Sequence, residues 1–378
     1  MSELEADVVV VGLGAIGSSA AWQAAERGAS VVAIDQHEPG HPWGGSTGAT
    51  RLFRVACLEH PGLVPIALRA REHWRELGRR SGQDLLLETG GLMIGQPGSR
   101  IIEGTLAAAA AHGLPVERVD AEAIARRWPG HATLAPGDVG VWDPDAGIAR
   151  PEAAIRAAAD AAAAAGARRL RGLVLAVEPD DAGVTVRLAA TTTIRARTAI
   201  VAAGPWLPQL VPGLPIVPHR VVLSWFRPTS ERGELDALPV FIRQVPGTQH
   251  WVWGHGARPG DFDAKVGPEF DGPFEPDDPD AIDRVVHPGE TDELSAHVAR
   301  TFPDLDPVPS ATTTCIMAHT PDGQFVVGRA GASDRLVVAG GCSGHSFKHA
   351  SALGELAAQL ALDEPPFTDI AFLDPARH

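Results

Sequence analysis

The pattern of apolar and polar positions divides the chain into elements, beginning near its first residue. Four consecutive valines at residues 8–11 predict a strand that is buried on both faces, as in a parallel sheet. An alanine-rich helix is predicted from residue 18 to residue 27, and a second apolar strand at residues 30–34 ends in Asp35. This succession predicts a complete βαβ unit.

The same patterns predict the later elements. Helical spacing of apolar residues predicts helices at residues 65–80, 101–112, 121–127, 148–165, 292–300 and 350–362. Apolar or alternating runs predict strands at residues 85–95, 170–177, 184–188, 198–204, 325–328 and 336–340. Between about residue 212 and residue 309 the helical periodicity is lost, which predicts a second, mainly antiparallel domain with Lys265 in a loop. Arg51 and Arg54 would share one face if their segment were helical.

The turn after the first strand carries the spacing G-x-G-x-x-G at Gly12, Gly14 and Gly17. In a βαβ unit the first glycine makes the tight turn, the second lets a pyrophosphate approach the backbone, and the third lets the helix pack closely on the sheet. The N-terminus of the helix then faces the phosphates. Asp35 would accept the ribose hydroxyls and disfavours a 2′-phosphate, which leaves FAD and NAD as the candidate cofactors.

Two further segments are rich in small residues and predict contact with a ligand. Residues 37–48 form a small-residue loop, and residues 340–348 form a glycine-rich turn between a strand and a helix. Exposed backbone N–H groups in such segments can bind anionic groups. We expect the second segment to form another cradle for the cofactor.

Composition excludes several classes of function. The chain has 378 residues, enough for about two or three domains, and its net charge of −15 argues against nucleic acid or an anionic membrane as a partner. No apolar run approaches the roughly 18 residues of a membrane span. Cys57, Cys315 and Cys342 form neither a metal-binding spacing nor a disulfide framework, so no metal is expected. The first residues lack the features of a signal peptide, and we expect a cytoplasmic protein.

Only two of the 32 basic residues, Lys265 and Lys348, are lysines. An ammonium group is a compact charge whose pKa burial can change, unlike that of a guanidinium. Either these two lysines have a function, or biased codon usage left them by chance. The chain has no tyrosine, so no phenol can act as an acid or a base.

Together these residues resemble the monomeric sarcosine oxidase and N-methyltryptophan oxidase family, flavoenzymes of the glutathione-reductase and D-amino-acid-oxidase type. The resemblance extends over almost the whole chain. It depends on the unit at residues 12–35, on residues 48–54, on Cys315 followed by residues 320–322, and on residues 344–348.

The resemblance implies an α/β plus α+β fold in which a Rossmann-type, glutathione-reductase-like FAD-binding domain is interrupted by a substrate domain with a mainly antiparallel sheet. The expected FAD-binding domain comprises residues 1–85, 145–213 and 315–378. The expected substrate domain comprises residues 86–144 and 214–314.

The resemblance also implies the roles of individual residues. Cys315 aligns with the cysteine that bonds covalently to the isoalloxazine ring of FAD. Arg54 and Lys348 align with the pair that binds the substrate carboxylate. Arg51 and Lys265 align with the basic residues over the flavin, and the lysine is credited with activating O2. Both lysines of the chain therefore match motif positions.

The family pattern implies a larger set of contacts. Residues expected to bind FAD are Gly12, Gly14, Ile16, Gly17, Asp35, Gly44, Ser46, Thr47, Thr50, Arg51, Val174, Gly204, Trp206, Cys315, Met317, Gly341, Ser343, Gly344, His345 and Lys348. Residues expected to bind substrate are Arg54, Lys348, Met317, Trp253 and Glu269. Sarcosine-oxidising members carry tyrosines at the positions of Met317 and Trp253, and histidines at those of Glu269 and Thr47. These departures predict a more apolar and more adaptable pocket than one for sarcosine.

The resulting hypothesis is a monomeric, FAD-dependent oxidase of a secondary amino acid, N-methylated or cyclic, that forms an imine and reduces O2 to H2O2. Alternatives within the same fold are a biosynthetic imino-acid oxidase, an oxidase of glycated amino acids, and a dehydrogenase with a protein acceptor. An alternative of another class is a regulatory module that binds a dinucleotide without catalysis.

Overall fold

The computed structural model describes residues 3–131, 133–248, 250–269, 276–331 and 333–377, and within these ranges the strands form two eight-stranded sheets and one three-stranded sheet. The helices of this part are α1 (Ala15–Glu26), α2 (Leu63–Ser81), α3 (Arg100–His112), α4 (Ala121–Arg127), α5 (Pro151–Ala164), α6 (Leu207–Leu210), α7 (Asp292–Thr301) and α8 (Ala350–Ala361). The strands are β1 (Glu3–Val11), β2 (Val31–Asp35), β3 (Arg51–Phe53), β4 (Leu86–Glu88), β5 (Gly91–Gly95), β6 (Glu117–Asp120), β7 (Val139–Asp143), β8 (Gly147–Ala149), β9 (Arg168–Arg171), β10 (Val174–Asp180), β11 (Gly183–Leu188), β12 (Thr193–Val201), β13 (Val217–Phe226), β14 (Val240–Gln244), β15 (Trp251–His255), β16 (Ala264–Pro268), β17 (Ala311–His319), β18 (Val326–Arg329) and β19 (Leu336–Gly340).

The first sheet contains the predicted βαβ unit. Strands β9, β2, β1, β12 and β19 are neighbours in that order and run parallel, while β10, β11 and β18 add antiparallel pairs. Val8, Val9 and Val10 are fully buried because α1, α5 and α8 cover one face of the sheet and a second apolar cluster covers the other. The carboxyl ends of the parallel strands meet at one edge of the sheet, the usual place for a nucleotide.

The second sheet has the order β17-β13-β16-β15-β14-β5-β7-β6, and its pairs are antiparallel except for β14 with β5. This confirms the mainly antiparallel second sheet. The placement of Lys265 in a loop is wrong, because Lys265 lies within β16, opposite Trp225 of β13 and His255 of β15. Acidic residues and prolines surround Lys265 in the sequence, so the local pattern did not predict a strand there. The strand forms because its backbone pairs with β13 and β15.

The structure decides one alternative that the sequence left open and corrects one helix boundary. The segment of Arg51 is the strand β3 rather than a helix, because it pairs with β8 in the three-stranded sheet. The helix expected from residue 148 begins at Pro151, since the preceding residues form β8 and proline is favoured in the first turn of a helix. Among the described residues, no helix is long and apolar enough to cross a membrane.

Candidate active site

The glycine-rich turn between β1 and α1 has the geometry that a dinucleotide requires. Gly12 has φ +92°, and a Cβ there would lie 2.6 Å from the carbonyl oxygen of Ala202. A Cβ on Gly17 would lie 1.8 Å from the carbonyl oxygen of Gly12. Gly14 differs, because a Cβ there would meet no described atom within 4 Å. The first and third glycines therefore serve packing, while the second leaves open space in front of the helix.

Asp35 closes β2 at the same edge of the sheet. Its carboxylate accepts hydrogen bonds from the backbone N–H groups of Leu13, at 2.7 Å, and His37, at 2.8 Å. These bonds tie the end of β2 to the glycine turn and fix the carboxylate on the wall of a cavity. The carboxylate retains acceptor sites for the hydroxyls of a ribose.

A cavity of about 1020 Å³ extends from the glycine turn to Lys348. Most of the residues expected to bind cofactor or substrate line it: Gly12, Gly14, Ile16, Asp35, Gly44, Ser46, Arg51, Arg54, Val174, Gly204, Trp206, Trp253, Glu269, Cys315, Met317, Gly341, Ser343, Gly344, His345 and Lys348. Turns that follow β1, β2, β12 and β19 contribute to its wall. Its length, the open space at Gly14 and the carboxylate of Asp35 fit an extended adenine dinucleotide.

Four expected residues lie behind this wall. Gly17 packs under the glycine turn, and Thr47, Thr50 and Lys265 are buried beside the cavity. The Thr50 hydroxyl contacts Nε2 of His255 at 2.9 Å. These residues therefore support the cavity from outside in this structure.

Lys265 is held by backbone carbonyls and an aromatic ring. Its Nζ donates hydrogen bonds to the carbonyl oxygens of Gly48 and Thr50, both at 3.1 Å, and lies 4.8 Å from the ring centre of Trp225. Burial, followed by repulsion from Arg51, lowers the pKa of Lys265 well below its usual value. The amine is therefore fixed in position and can titrate.

Cys315 lies in the middle of β17 and is 2 % exposed. Its Sγ is 3.8 Å from Nη2 of Arg51, and the Nη1 of that guanidinium donates to the carbonyl oxygen of Thr50 at 2.9 Å. The structure thus brings Cys315 next to Arg51. Arg51 and Lys265 donate to the same carbonyl oxygen, that of Thr50.

Arg54 and Lys348 meet at the far end of the cavity, and both are 3 % exposed. The carboxylate of Glu59 lies between them, accepting a hydrogen bond from Nη2 of Arg54 and lying 3.5 Å from Nζ of Lys348. Burial alone would raise the pKa of Glu59, but Arg54 and Lys348 lower it well below its usual value. The site is therefore a buried triad of two cations and one anion.

Glu59 is a candidate functional residue that the sequence analysis missed. It follows a short loop that Asp143 organises by accepting hydrogen bonds from the N–H groups of Val55, at 3.2 Å, and Ala56, at 3.1 Å. No periodic pattern marks Glu59 in the sequence. Its position five residues after Arg54, in a loop with no other acidic residue, is the one signal that could have suggested a partner for that arginine.

The remaining expected substrate residues form one wall. Trp253, Glu269, Met317 and Gly344 also line a small cavity of about 20 Å³, together with His319, which the sequence analysis did not single out. Nε1 of Trp253 donates to the carbonyl oxygen of Pro268 at 3.0 Å, which fixes the indole. Burial, with repulsion from nearby histidines, lowers the pKa of His319 to about 4. This wall therefore presents an apolar surface with a carboxylate at its edge.

A parallel sheet with a glycine turn, an acidic end to β2 and a cavity leading to buried cations defines a dinucleotide-binding protein with a second, charged site beside the dinucleotide. The family model described as "FAD dependent oxidoreductase" matches residues 7–360, and the chain belongs to this family. The fold class and the family inferred from the sequence are confirmed.

Characterised relatives cover almost the whole chain. A monomeric sarcosine oxidase from Streptomyces avermitilis is 35% identical over 98% of this chain and 97% of its own length. An N-methyl-L-tryptophan oxidase from Escherichia coli is 31% identical over 96% of this chain and 97% of its own length. Among solved structures, the open form of NikD, an unusual amino acid oxidase essential for nikkomycin biosynthesis, has a TM-score of 0.84 at 29% identity and covers 98% of both chains.

Proposed function

We propose that this enzyme oxidises the C–N bond of a secondary amino acid, N-methylated or cyclic, to an imine and reduces O2 to H2O2. The observation that carries the proposal is the buried pair Arg54 and Lys348 at the end of the cavity. A carboxylate is the complementary ligand, because a guanidinium binds both of its oxygens and an ammonium adds a point charge. The names of the two enzyme relatives, which refer to N-methyl amino acids, support this substrate class.

Glu59 sets the charge balance of this carboxylate site. It compensates one of the two positive charges of Arg54 and Lys348, so one positive charge remains for the substrate carboxylate. An uncompensated buried charge is costly, and an incoming carboxylate removes that cost. Once the carboxylate is bound, the substrate amine faces the wall of Trp253 and Met317.

FAD would bind with its pyrophosphate at Gly14, its ribose at Asp35 and its ring near Cys315. When bound, FAD would accept the two electrons and the hydrogen of the C–H bond next to the amine nitrogen, and would pass the electrons to O2. The N–H proton lost as the imine forms would end in H2O2 or in solvent. We further propose that the Sγ of Cys315 bonds covalently to the isoalloxazine ring system, supported by its place on the cavity wall and by the adjacent Arg51. The S–H bond and one C–H bond of the ring system would break, and the two electrons released would pass to the flavin and then to O2.

Lys265 is proposed to assist the reaction with O2. The first electron transfer to oxygen creates superoxide-like negative charge beside Lys265. This charge favours the protonated amine, which burial and Arg51 disfavour before the transfer. Hydrogen bonds to two carbonyls and the ring of Trp225 hold the Lys265 amine in one position, so little reorganisation is needed. The domain division, the monomeric state and the cytoplasmic location stay proposals from the sequence.

The test is anaerobic bleaching of the visible flavin absorbance by sarcosine, N-methyl-L-tryptophan, L-proline, L-pipecolate and a fructosyl amino acid. We expect rapid bleaching by a bulky N-methyl or a cyclic amino acid, followed by recovery of the absorbance and formation of H2O2 in air. Bleaching by the fructosyl compound alone would favour an oxidase of glycated amino acids. Recovery with a protein acceptor but not with O2 would favour a dehydrogenase.

Lys348→Met tests whether the carboxylate site recognises the substrate carboxylate. Losing a charge-assisted hydrogen bond costs roughly 1.5–3 kcal/mol, so KM for the amino acid should rise about 10- to 150-fold. KM for the same amine without its carboxylate should change little. An equal effect on both compounds would remove Lys348 from the recognition of the carboxylate.

A further inference from the structure

Beyond the carboxylate site and Arg51, the cavity contains a further cation, Arg100, that no described carboxylate neutralises. Arg100, the first residue of α3, lines the cavity, and its guanidinium lies 5.9 Å from the ring centre of Trp251. Among the described residues, the guanidinium of Arg100 makes this cation–π contact and forms no ion pair. The buried cations Arg54 and Lys348, by contrast, share Glu59.

Packing fixes the start of α3 against the cavity wall. Ile101 and Ile102 are buried in an apolar cluster with Ile242 and Leu58, and Trp251 and Trp253 pack against the same cluster. The backbone of Arg100 is therefore anchored while its side chain remains exposed at the cavity. The guanidinium covers one side of Trp251 and keeps N–H donors free for a ligand.

The order of residues along the wall gives the direction of the side chain of a bound substrate. Met317 and Trp253 lie together near Cys315, and Trp251 is two positions from Trp253 on the same strand and the same face. Residues two apart in a strand are separated by roughly 7 Å. His255, at the other end of β15, pairs with Lys265, and Trp253 packs against Cys315, so Arg100 over Trp251 lies farther from these two residues than Trp253 does.

We propose that Arg100 binds an anionic group at the end of the substrate side chain, so that the preferred substrate is a secondary amino acid with a second, distal carboxylate. This inference deepens the proposed function and depends on it for the identity of the reaction, although not for the binding itself. The apolar stretch at Trp251 and Trp253 accommodates the methylene groups between the two carboxylates. Arg54 and Lys348 bind one end of such a ligand and Arg100 binds the other.

The test compares two ligands that cannot be oxidised, adipate and hexanoate, which differ in one terminal carboxylate. Isothermal titration calorimetry on the flavin-loaded enzyme at low ionic strength gives both dissociation constants. Because Arg100 is exposed, we expect adipate to bind roughly five- to tenfold more tightly than hexanoate, and salt to reduce the difference. Arg100→Gln should abolish the difference, while Arg126→Gln, which changes an exposed arginine of α4, should retain it.

Reversing the charge of Arg100 distinguishes a lost binding contact from a variant that has simply failed to fold. The carboxylate of Arg100→Glu should repel the distal carboxylate of adipate and attract the ammonium group of 6-aminohexanoate. This variant should therefore bind 6-aminohexanoate more tightly than adipate. Equal affinities in the wild type, or a preference for adipate that survives Arg100→Gln, would overturn the inference. These outcomes are separate from those of the bleaching experiment, because the binding preference requires no oxidation of any ligand.

Discussion

Alanine substitutions at Gly14 and Gly17 separate the cofactor-binding role of the turn from its packing role. A Cβ at Gly17 would lie 1.8 Å from the carbonyl oxygen of Gly12, whereas contacts below 3.0 Å are essentially never observed. Since the contact is with a backbone atom, the start of α1 must move by more than about 1 Å. Overpacking of this kind costs roughly 1–3 kcal/mol, and the backbone contact places Gly17→Ala at the upper end.

Gly14→Ala is the matched change. Its added methyl meets no described atom within 4 Å, and φ of −70° at Gly14 suits alanine, so the stability of the flavin-free protein should change by less than about 0.5 kcal/mol. The methyl instead enters the space proposed for the pyrophosphate. Losing the close contact with a charged ligand costs roughly 1.5–3 kcal/mol, which corresponds to an FAD dissociation constant about 10- to 150-fold higher.

The assay measures melting temperature and FAD titration for both variants in a Cys315→Ser background, in which any covalent attachment through that thiol is removed. We expect Gly17→Ala to lower the melting temperature of the flavin-free protein by about 3–4 °C. Gly14→Ala should leave that temperature unchanged and weaken FAD binding. Wild-type affinity in Gly14→Ala, or an equal loss of stability in both variants, would refute this division of roles.

Three further predictions concern the flavin and the effect of pH. Cys315→Ser should release the flavin into the supernatant on acid precipitation; flavin that stays in the pellet would place the covalent link elsewhere. Lys265→Met should slow reoxidation of the reduced flavin in stopped-flow experiments far more than its reduction by substrate; equal slowing would remove the role in O2 activation. Burial lowers the pKa of His255 to about 3, so unfolding takes up a proton between about pH 6.5 and pH 3, and stability falls by about 1.4 kcal/mol per pH unit from this group as the pH decreases. In urea unfolding at several pH values, His255→Gln should reduce this slope, and His112→Gln, at an exposed position, is the matched control. A slope that His255→Gln leaves unchanged would show that folding does not lower the pKa of His255.

The sequence predicted the parts of the site that local patterns specify. The run of valines before Gly12 predicted a buried strand because continuous apolar residues require cover on both faces. The glycine spacing and Asp35 predicted the turn and its acidic neighbour, since each depends on conformations within one βαβ unit. The rarity of lysine directed attention to Lys265 and Lys348, and both are buried beside or at the cavity.

Other features depended on contacts between distant segments, which no local pattern contains. Lys265 lies in a strand because β13 and β15 pair with its backbone on both sides. Glu59 meets Lys348, 289 positions away, because the loop after β3 and the turn after β19 converge at the end of the cavity. Arg100 reaches the same cavity because the apolar start of α3 packs against the second sheet.

The sequence alone therefore determined the βαβ unit and the mainly antiparallel second sheet, and most of the site residues that the family resemblance implied line the cavity. Hydrophobic periodicity and turn chemistry act over a few residues and can be read in order along the chain. The tertiary structure decided which charges neutralise each other and which cation remains without an acidic partner among the described residues. Those outcomes depend on burial and on distances between side chains that are far apart in sequence, because the energy of a charge depends on its surroundings in the fold.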